Sequence, residues 1–163
     1  MTKEQKSESE IRHRKVQRFL ESQLPGCEVR YDGVEGVDHT IMFNGKKTIV
    51  ETKTCNRIEK CGIDRKRTRS SEFNMLFEKF HLGRMKFWQA EGHPYTESQH
   101  DDIVSQDGWY IFVVGHDIIG GISAKELDNY IGGKWTEKRV TWSRVIGWCH
   151  PDWLKKLKER IYF

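Results

Sequence analysis

The chain has 163 residues, of which 36% are apolar and 12% aromatic, and this size and composition suit one compact domain spanning residues 1–163. It contains no apolar run long enough to cross a bilayer and no amino-terminal signal-peptide stretch, so we expect an intracellular, cytoplasmic protein without a membrane partner. The net charge of +4 points only weakly to a polyanionic partner, and four cysteines without a CxxC pair argue against a disulfide framework.

The first predicted helix begins at a capping box formed by Ser7 and Glu10 and ends at Pro25-Gly26. Its apolar residues recur at helical spacing and share one face: Val16, Phe19, Leu20 and Leu24. Glu10 lies at the edge of that face, where a side chain can be half covered and still reach a cleft.

A β-hairpin is predicted after a short strand around Cys27 to Tyr31. Its first strand is Val37 to Phe43, its turn is Asn44-Gly45 and its returning strand is Lys46 to Cys55. Asn-Gly between two apolar-rich runs is typical of a type I′ turn, because both residues accept a positive φ.

The segment from Arg57 to Arg69 is strongly basic. It holds six basic and two acidic residues, a net charge of +4 that equals the charge of the whole chain. Such a segment, directly after the hairpin, can bind phosphates, although most charge runs are solvated loops. The candidate DNA-binding residues are Arg57, Lys60, Arg65, Lys66, Arg67 and Arg69.

A long amphipathic helix is predicted next, because its apolar residues recur at helical intervals: Phe73, Leu76, Phe77, Phe80, Phe87 and Trp88. The polar stretch from Gln89 to Asp107 shows no period and is predicted to be a mobile loop. Four of its side chains could form a second metal site or a general base, although loop residues of these types are mostly solvated. They are His93, His100, Asp101 and Asp102.

The carboxyl-terminal part contains two predicted strands, Trp109 to Val114 and Ile118 to Ile122. Ser123 with Glu126 predicts the start of a short helix, and Pro151 to Ile161 predicts a final amphipathic helix. The order helix, three strands, helix, strand, with carboxyl-terminal additions, indicates an α/β or α+β protein in which helices flank a mixed sheet.

The hairpin register brings two carboxylates together. A two-residue turn pairs Phe43 with Lys46, and counting back along both strands places Asp38 opposite Glu51. Like charges at that spacing destabilise a hairpin, so a positive charge must compensate. Lys53 projects from the same face as Glu51.

A divalent cation is the second source of positive charge, because one ammonium cannot neutralise two carboxylates. Oxygen ligands from Asp38, Glu51 and a neighbouring backbone carbonyl suit Mg²⁺, which keeps several waters and also binds phosphate oxygens. Exposed acids and a lysine on a solvated sheet face would give the same spacing by chance. The same face also carries Thr40, Met42 and Ile49, which favours a partly buried site.

Residues 37–53, with VD, NGKK and ETK in their sequence, resemble the central motif of the PD-(D/E)XK nuclease superfamily. Over residues 10–53, the spacing and the turn are similar to the archaeal Holliday junction resolvases. Those enzymes begin with a helix that carries a Glu, for which Glu10 is the candidate here and Glu8 its rival. The resemblance implies a restriction-endonuclease-like core.

The resemblance also implies a role for each matching residue. Asp38 and Glu51 would hold Mg²⁺, or Mn²⁺ in its place, together with the carbonyl group of Thr52. Glu10 would complete the ligand shell or hold a second ion through water. Lys53 would orient the attacking water or neutralise charge that develops on the phosphate.

The expected function is that of a Mg²⁺-dependent DNA endonuclease that hydrolyses phosphodiester bonds, with structure specificity like that of the resolvases. A restriction or repair endonuclease on duplex DNA is one alternative, and a non-catalytic nucleic-acid-binding module is another. Met75 and Leu82 lie off the main face of the long predicted helix, where they could pack on a second copy in a homodimer.

Overall fold

The structure, a computed structural model, describes residues 3–31, 38–55, 74–78, 99–132 and 137–163. Its helices are α1 (Lys3–Gln23), α2 (Gln99–Ser105), α3 (Ala124–Ile131), α4 (Trp142–Trp148) and α5 (Trp153–Tyr162). Its strands are β1 (Glu28–Tyr31), β2 (His39–Phe43), β3 (Lys46–Cys55), β4 (Asn74–Glu78), β5 (Trp109–Val114), β6 (Asp117–Ser123) and β7 (Glu137–Thr141). The predicted α/β class and mixed sheet are confirmed.

A five-stranded sheet with the order β1-β2-β3-β5-β6 forms the centre of the fold. The strands β1, β2 and β3 pair antiparallel, whereas β3 and β5 pair parallel and β6 returns antiparallel to β5. Strand β3 therefore has a hydrogen-bonded neighbour on both sides. Strands β4 and β7 form a separate two-stranded antiparallel sheet.

The predicted hairpin is present with its predicted turn and register. Asn44 has φ 48° and Gly45 has φ 75°, and a type I′ turn requires positive φ at both positions. Phe43 lies opposite Lys46, and the ladder continues to the pair His39 and Val50.

Helices cover both faces of the central sheet. Helices α1 and α5 pack on the face that carries Val50, Ile111 and Val113. Helices α2, α3 and α4 contribute to a second core with Ile49, Tyr110 and Phe112 on the opposite face. All residues of β5 are buried, as a strand covered on both faces requires.

The helix predicted over residues 73–88 is wrong at its amino-terminal end, where residues 74–78 form β4. Asn74 lies opposite Thr141 on β7, a strand that the sequence pattern did not predict. A short apolar run fits a helix and a strand equally well, and here the distant partner strand decides the outcome. The rest of the predicted helix, including Leu82, lies outside the described residues.

The mobile loop predicted over residues 89–107 is also wrong in part, because residues 99–105 form α2. Ile103 on this helix is fully buried, so its burial stabilises a segment whose polar composition favoured a loop. Residues 89–98, with His93, lie outside the described residues. Helix α1 begins at Lys3 rather than at Ser7 and ends before Pro25-Gly26, as predicted.

The carboxyl-terminal elements agree with the sequence pattern. The backbone N–H of Glu126 donates to Oγ of Ser123 at 3.2 Å, which caps α3 as predicted. Helix α5 buries Leu157 and Ile161 against the sheet. In the described part of the chain, every helix is too short or too polar to cross a bilayer.

Candidate functional site

Asp38 and Glu51 meet where the β2–β3 ladder ends. The last ladder pair is His39 and Val50, so Asp38 and Glu51 are the next residues along the two strands. A hydrogen bond links their carboxyl groups. The two acids are therefore direct neighbours at the end of the hairpin.

The carboxyl group of Asp38 has two further partners. The backbone N–H of Thr52 donates to Oδ2 at 2.8 Å, which satisfies a donor beyond the end of the β2–β3 ladder. On the other side, Nε2 of His13 on α1 lies 3.4 Å from Oδ1. A protonated His13 on the first helix would therefore supply part of the positive charge expected beside the carboxyl pair.

The ionised form of Asp38 is favoured in this environment. Burial raises the pKa of this carboxyl, but hydrogen bonds from His13, Glu51 and the Thr52 N–H, together with electrostatic attraction by His13, lower it. The net pKa lies below the usual range of an aspartate. Asp38 is thus held as a carboxylate, the form that binds cations.

Glu51 is buried in the centre of the sheet, with 8% of its surface exposed. It lies beside Tyr110 on the parallel neighbour β5. Burial raises the pKa of Tyr110 well above its usual value, and the charges of Glu51, Asp128 and Asp101 raise it further. The Tyr110 hydroxyl therefore keeps its proton and remains a hydrogen-bond donor.

Lys53 follows on the same face of β3, beside Phe112 on β5. Its side chain is partly buried. The structure thus places Asp38, Glu51 and Lys53 in one region at the end of the hairpin. The backbone of Thr52 lies between the second acid and the lysine, and its side chain is buried.

Glu10 is exposed on α1, and the Arg14 guanidinium lies 4.0 Å from its carboxylate. The contact from α1 to Asp38 that the structure shows is made by His13. The pKa of Tyr31 is raised mainly by burial and by the charge of Asp38, and the charge of Glu10 raises it further. The structure therefore brings Glu10 to the edge of the site. The side chain of its rival Glu8 lies outside the described part of the chain.

His13, Tyr31 and His39 form an aromatic cluster that the sequence analysis missed. The rings of His13 and Tyr31 stack with centroids 5.4 Å apart, and Nε2 of His39 lies 3.1 Å from the carbonyl oxygen of His13. His13 precedes Val16 and Leu20 by three and seven positions, so helical spacing places it on the buried face. That spacing was the signal that could have identified it.

His100 is 1% exposed, so the expectation of a solvated loop histidine is wrong. Its Nδ1 lies 2.7 Å from the Tyr110 hydroxyl and its Nε2 lies 2.9 Å from Oδ1 of Asp128. An imidazole protonated on Nε2 satisfies both contacts, because it donates to Asp128 and accepts from Tyr110. The hydrogen bonds of His100 thus connect β5 to α3.

The second metal site considered for the polar loop finds no support in the described residues, which contain no group of three His, Cys, Asp or Glu side chains able to hold a metal ion. Asp101 is exposed on α2, and Asp102 accepts a hydrogen bond from Gln106 at 2.9 Å. The candidate DNA-binding residues lie outside the described residues: Arg57, Lys60, Arg65, Lys66, Arg67 and Arg69.

Comparison of the chain with protein-family models finds no matching family. No curated protein matches it either. What the site can do therefore rests on its own residues. Two neighbouring carboxyl groups are oxygen ligands of the kind that a hard cation prefers, and Lys53 on the same strand carries a positive charge.

Proposed function

We propose that this protein is a Mg²⁺-dependent DNA endonuclease with a restriction-endonuclease-like core, and that it hydrolyses phosphodiester bonds. The observation that carries the proposal is the position of Asp38 next to Glu51 at the end of the β2–β3 ladder, with Lys53 two residues further along β3. The element order α1-β1-β2-β3, followed by α2 and the parallel strand β5, supports it, because it agrees with the helix, three strands, helix and strand that the sequence pattern predicted.

The carboxyl pair fits a hard divalent cation. A bound cation would offset the repulsion between two neighbouring carboxylates. Asp38 and Glu51 would bind the ion, with the carbonyl oxygen of Thr52 as a third ligand. Mg²⁺ is typically held by one or two carboxylates, waters and substrate phosphates, so a site with two acids suits it. Mn²⁺ accepts the same oxygen ligands.

When bound, such an ion supplies a water of lowered pKa and stabilises negative charge on the phosphate. The protein contributes the remaining electrostatics. Lys53, two residues after Glu51 on the same face, attracts phosphate oxygens and neutralises the charge that develops on them. Glu10 at the edge of the site would reach the cation through water.

DNA is the proposed partner because the chain carries a basic segment over residues 57–69, immediately after β3. Branched DNA is the first candidate substrate, from the resemblance to junction resolvases, and duplex DNA cut by a restriction or repair enzyme is the alternative. A homodimer would suit cleavage of two strands, but Met75 lies on β4 rather than on the predicted helix and Leu82 lies outside the described residues, so the helix face no longer supports them as contact residues.

The direct test is cleavage of supercoiled, linear, single-stranded and four-way-junction DNA in Mg²⁺, Mn²⁺, Ca²⁺ and EDTA. We expect cleavage in Mg²⁺ or Mn²⁺, none in EDTA, and a loss of roughly two orders of magnitude or more in Glu51→Gln. The control is Glu159→Gln, which removes an exposed charge on α5 and should leave the rate unchanged. If the parent cleaves none of these substrates, the protein is better described as a nucleic-acid-binding module.

A further inference from the structure

A basic cleft lies between α1 and the turn that connects β5 to β6. Its volume is about 460 Å³, within the range of small-ligand sites. The residues that line it are Glu10, Ile11, Arg14, Lys15, Arg18 and His116. We propose that this cleft binds the phosphodiester backbone of the DNA substrate next to the position of cleavage.

The charge of the cleft favours a polyanion. Three cationic side chains face a single carboxylate, that of Glu10, and this carboxylate is already close to Arg14 at 4.0 Å. Lys15 and Arg18 are exposed and form no ion pair with the residues that the structure describes. Their charges are therefore available to phosphate groups, which lysine and arginine bind with release of counterions.

The position of the cleft connects it to the carboxyl pair. The Arg14 guanidinium lies over the ring of Tyr31, 4.8 Å from its centroid. Tyr31 stacks on His13, and His13 lies 3.4 Å from the carboxylate of Asp38. This series of contacts connects the cleft to Asp38, which is why we place the bound backbone next to the position of cleavage.

The remaining lining residues suit a sugar-phosphate chain. His116 is exposed in the turn between β5 and β6, where its ring N–H can donate to a phosphate oxygen. Ile11 is 52% exposed and offers an apolar surface to a deoxyribose. Half or more of the hydrogen bonds in protein–DNA complexes go to the backbone, so this lining predicts binding without sequence preference.

The inference rests on the proposed function, and its test separates the two. The variant Lys15→Ala/Arg18→Ala removes two exposed charges from the cleft, and the variant Lys155→Ala/Lys156→Ala removes two exposed charges from α5 as the matched control. Binding of a fluorescent four-way junction and of a duplex is measured by anisotropy in Ca²⁺ over a salt series. Single-turnover cleavage in Mg²⁺ is measured at saturating protein.

For the cleft variant we expect the slope of log K against log salt to fall by about one unit for each lost phosphate contact. We also expect Kd to rise by roughly tenfold or more near 0.1 M salt, while cleavage at saturation stays near the parent rate. Lys15→Glu/Arg18→Glu should weaken binding further. Because both side chains are exposed, we expect this charge-reversed variant to keep its fold, and circular dichroism checks this.

An unchanged slope in the cleft variant, or an equal loss in the α5 control, would overturn the inference while leaving the proposed cleavage activity standing. Weakened binding in the cleft variant, with no cleavage by the parent, would support the cleft as a backbone-binding site and overturn the proposed endonuclease instead.

Discussion

The Nε2 atom of His13 lies 3.4 Å from the Oδ1 atom of Asp38, which joins the first helix to the carboxyl pair at the end of the hairpin. This contact changes the expected effect of Asp38 on the stability of the fold. Facing carboxylates alone would make either acid destabilising. With His13, the Thr52 N–H and the carboxyl of Glu51 as partners, Asp38 has a lowered pKa and its ionised form stabilises the fold.

We therefore predict that Asp38→Asn lowers the free energy of unfolding by roughly 1 kcal/mol in metal-free buffer at neutral pH. A group whose pKa is lowered in the folded state stabilises the fold at any pH above its pKa in the unfolded chain, which is near 3.9 for Asp. This stabilisation is lost as the pH falls through the pKa of the group in the folded state. The difference between parent and variant should therefore shrink below about pH 4.

Urea unfolding between pH 3 and pH 7 in EDTA measures that difference. Asp117→Asn, at an exposed aspartate on β6, is the control and should change stability little at any pH. A variant Asp38→Asn that is more stable than the parent would show that repulsion by Glu51 outweighs the contacts to His13 and Thr52.

Lys53→Ala should separate catalysis from binding. We propose that Lys53 neutralises negative charge that develops on the phosphate in the transition state. The variant should therefore bind DNA in Ca²⁺ nearly as well as the parent. Its single-turnover cleavage in Mg²⁺ should fall by about two orders of magnitude. Lys47→Ala, at an exposed position of the same strand, is the control. Equal cleavage rates for Lys53→Ala and the parent would remove Lys53 from the proposed mechanism.

Tyr110→Phe should destabilise the fold, because it removes the hydroxyl that lies 2.7 Å from Nδ1 of His100 and leaves a buried nitrogen without that partner. We expect a loss of about 1–3 kcal/mol in the free energy of unfolding, with the ring stack on Phe112 retained. Tyr130→Phe is the matched control, because Tyr130 is 50% exposed; its effect should stay within about 0.5 kcal/mol. Similar stabilities for the two variants would contradict the role given to the Tyr110 hydroxyl.

Gly121→Ala should loosen the packing of α5 on β6. A Cβ atom at this position would collide with the ring of Trp153, with Cζ3 at 2.9 Å, and overpacking of this kind typically costs about 1–3 kcal/mol. Gly147→Ala provides the contrast, since a Cβ there meets no heavy atom within 4 Å outside its own helix and alanine favours helix. Thermal unfolding of both variants checks the prediction; a stabilised Gly121→Ala would mean that Trp153 is displaced without cost.

The hairpin and the positions of Asp38, Glu51 and Lys53 on it could be predicted from local sequence. These residues lie close together in the chain, the turn at Asn44-Gly45 sets the register, and the period of two in a strand assigns each side chain to a face. Local geometry was sufficient for all of these features. The helical spacing of the apolar residues likewise sufficed for α1 and α5.

The groups that surround the carboxyl pair could not be predicted in this way, because they come from distant parts of the chain. His13 reaches Asp38 from another element, and the contact between His100 and Asp128 joins residues 28 positions apart. Strand β4 forms where local periodicity predicted a helix, because its partner β7 is distant in sequence. Contacts of this kind depend on the packing of helices and strands remote in the chain, and the spacing of residues within one segment does not encode them.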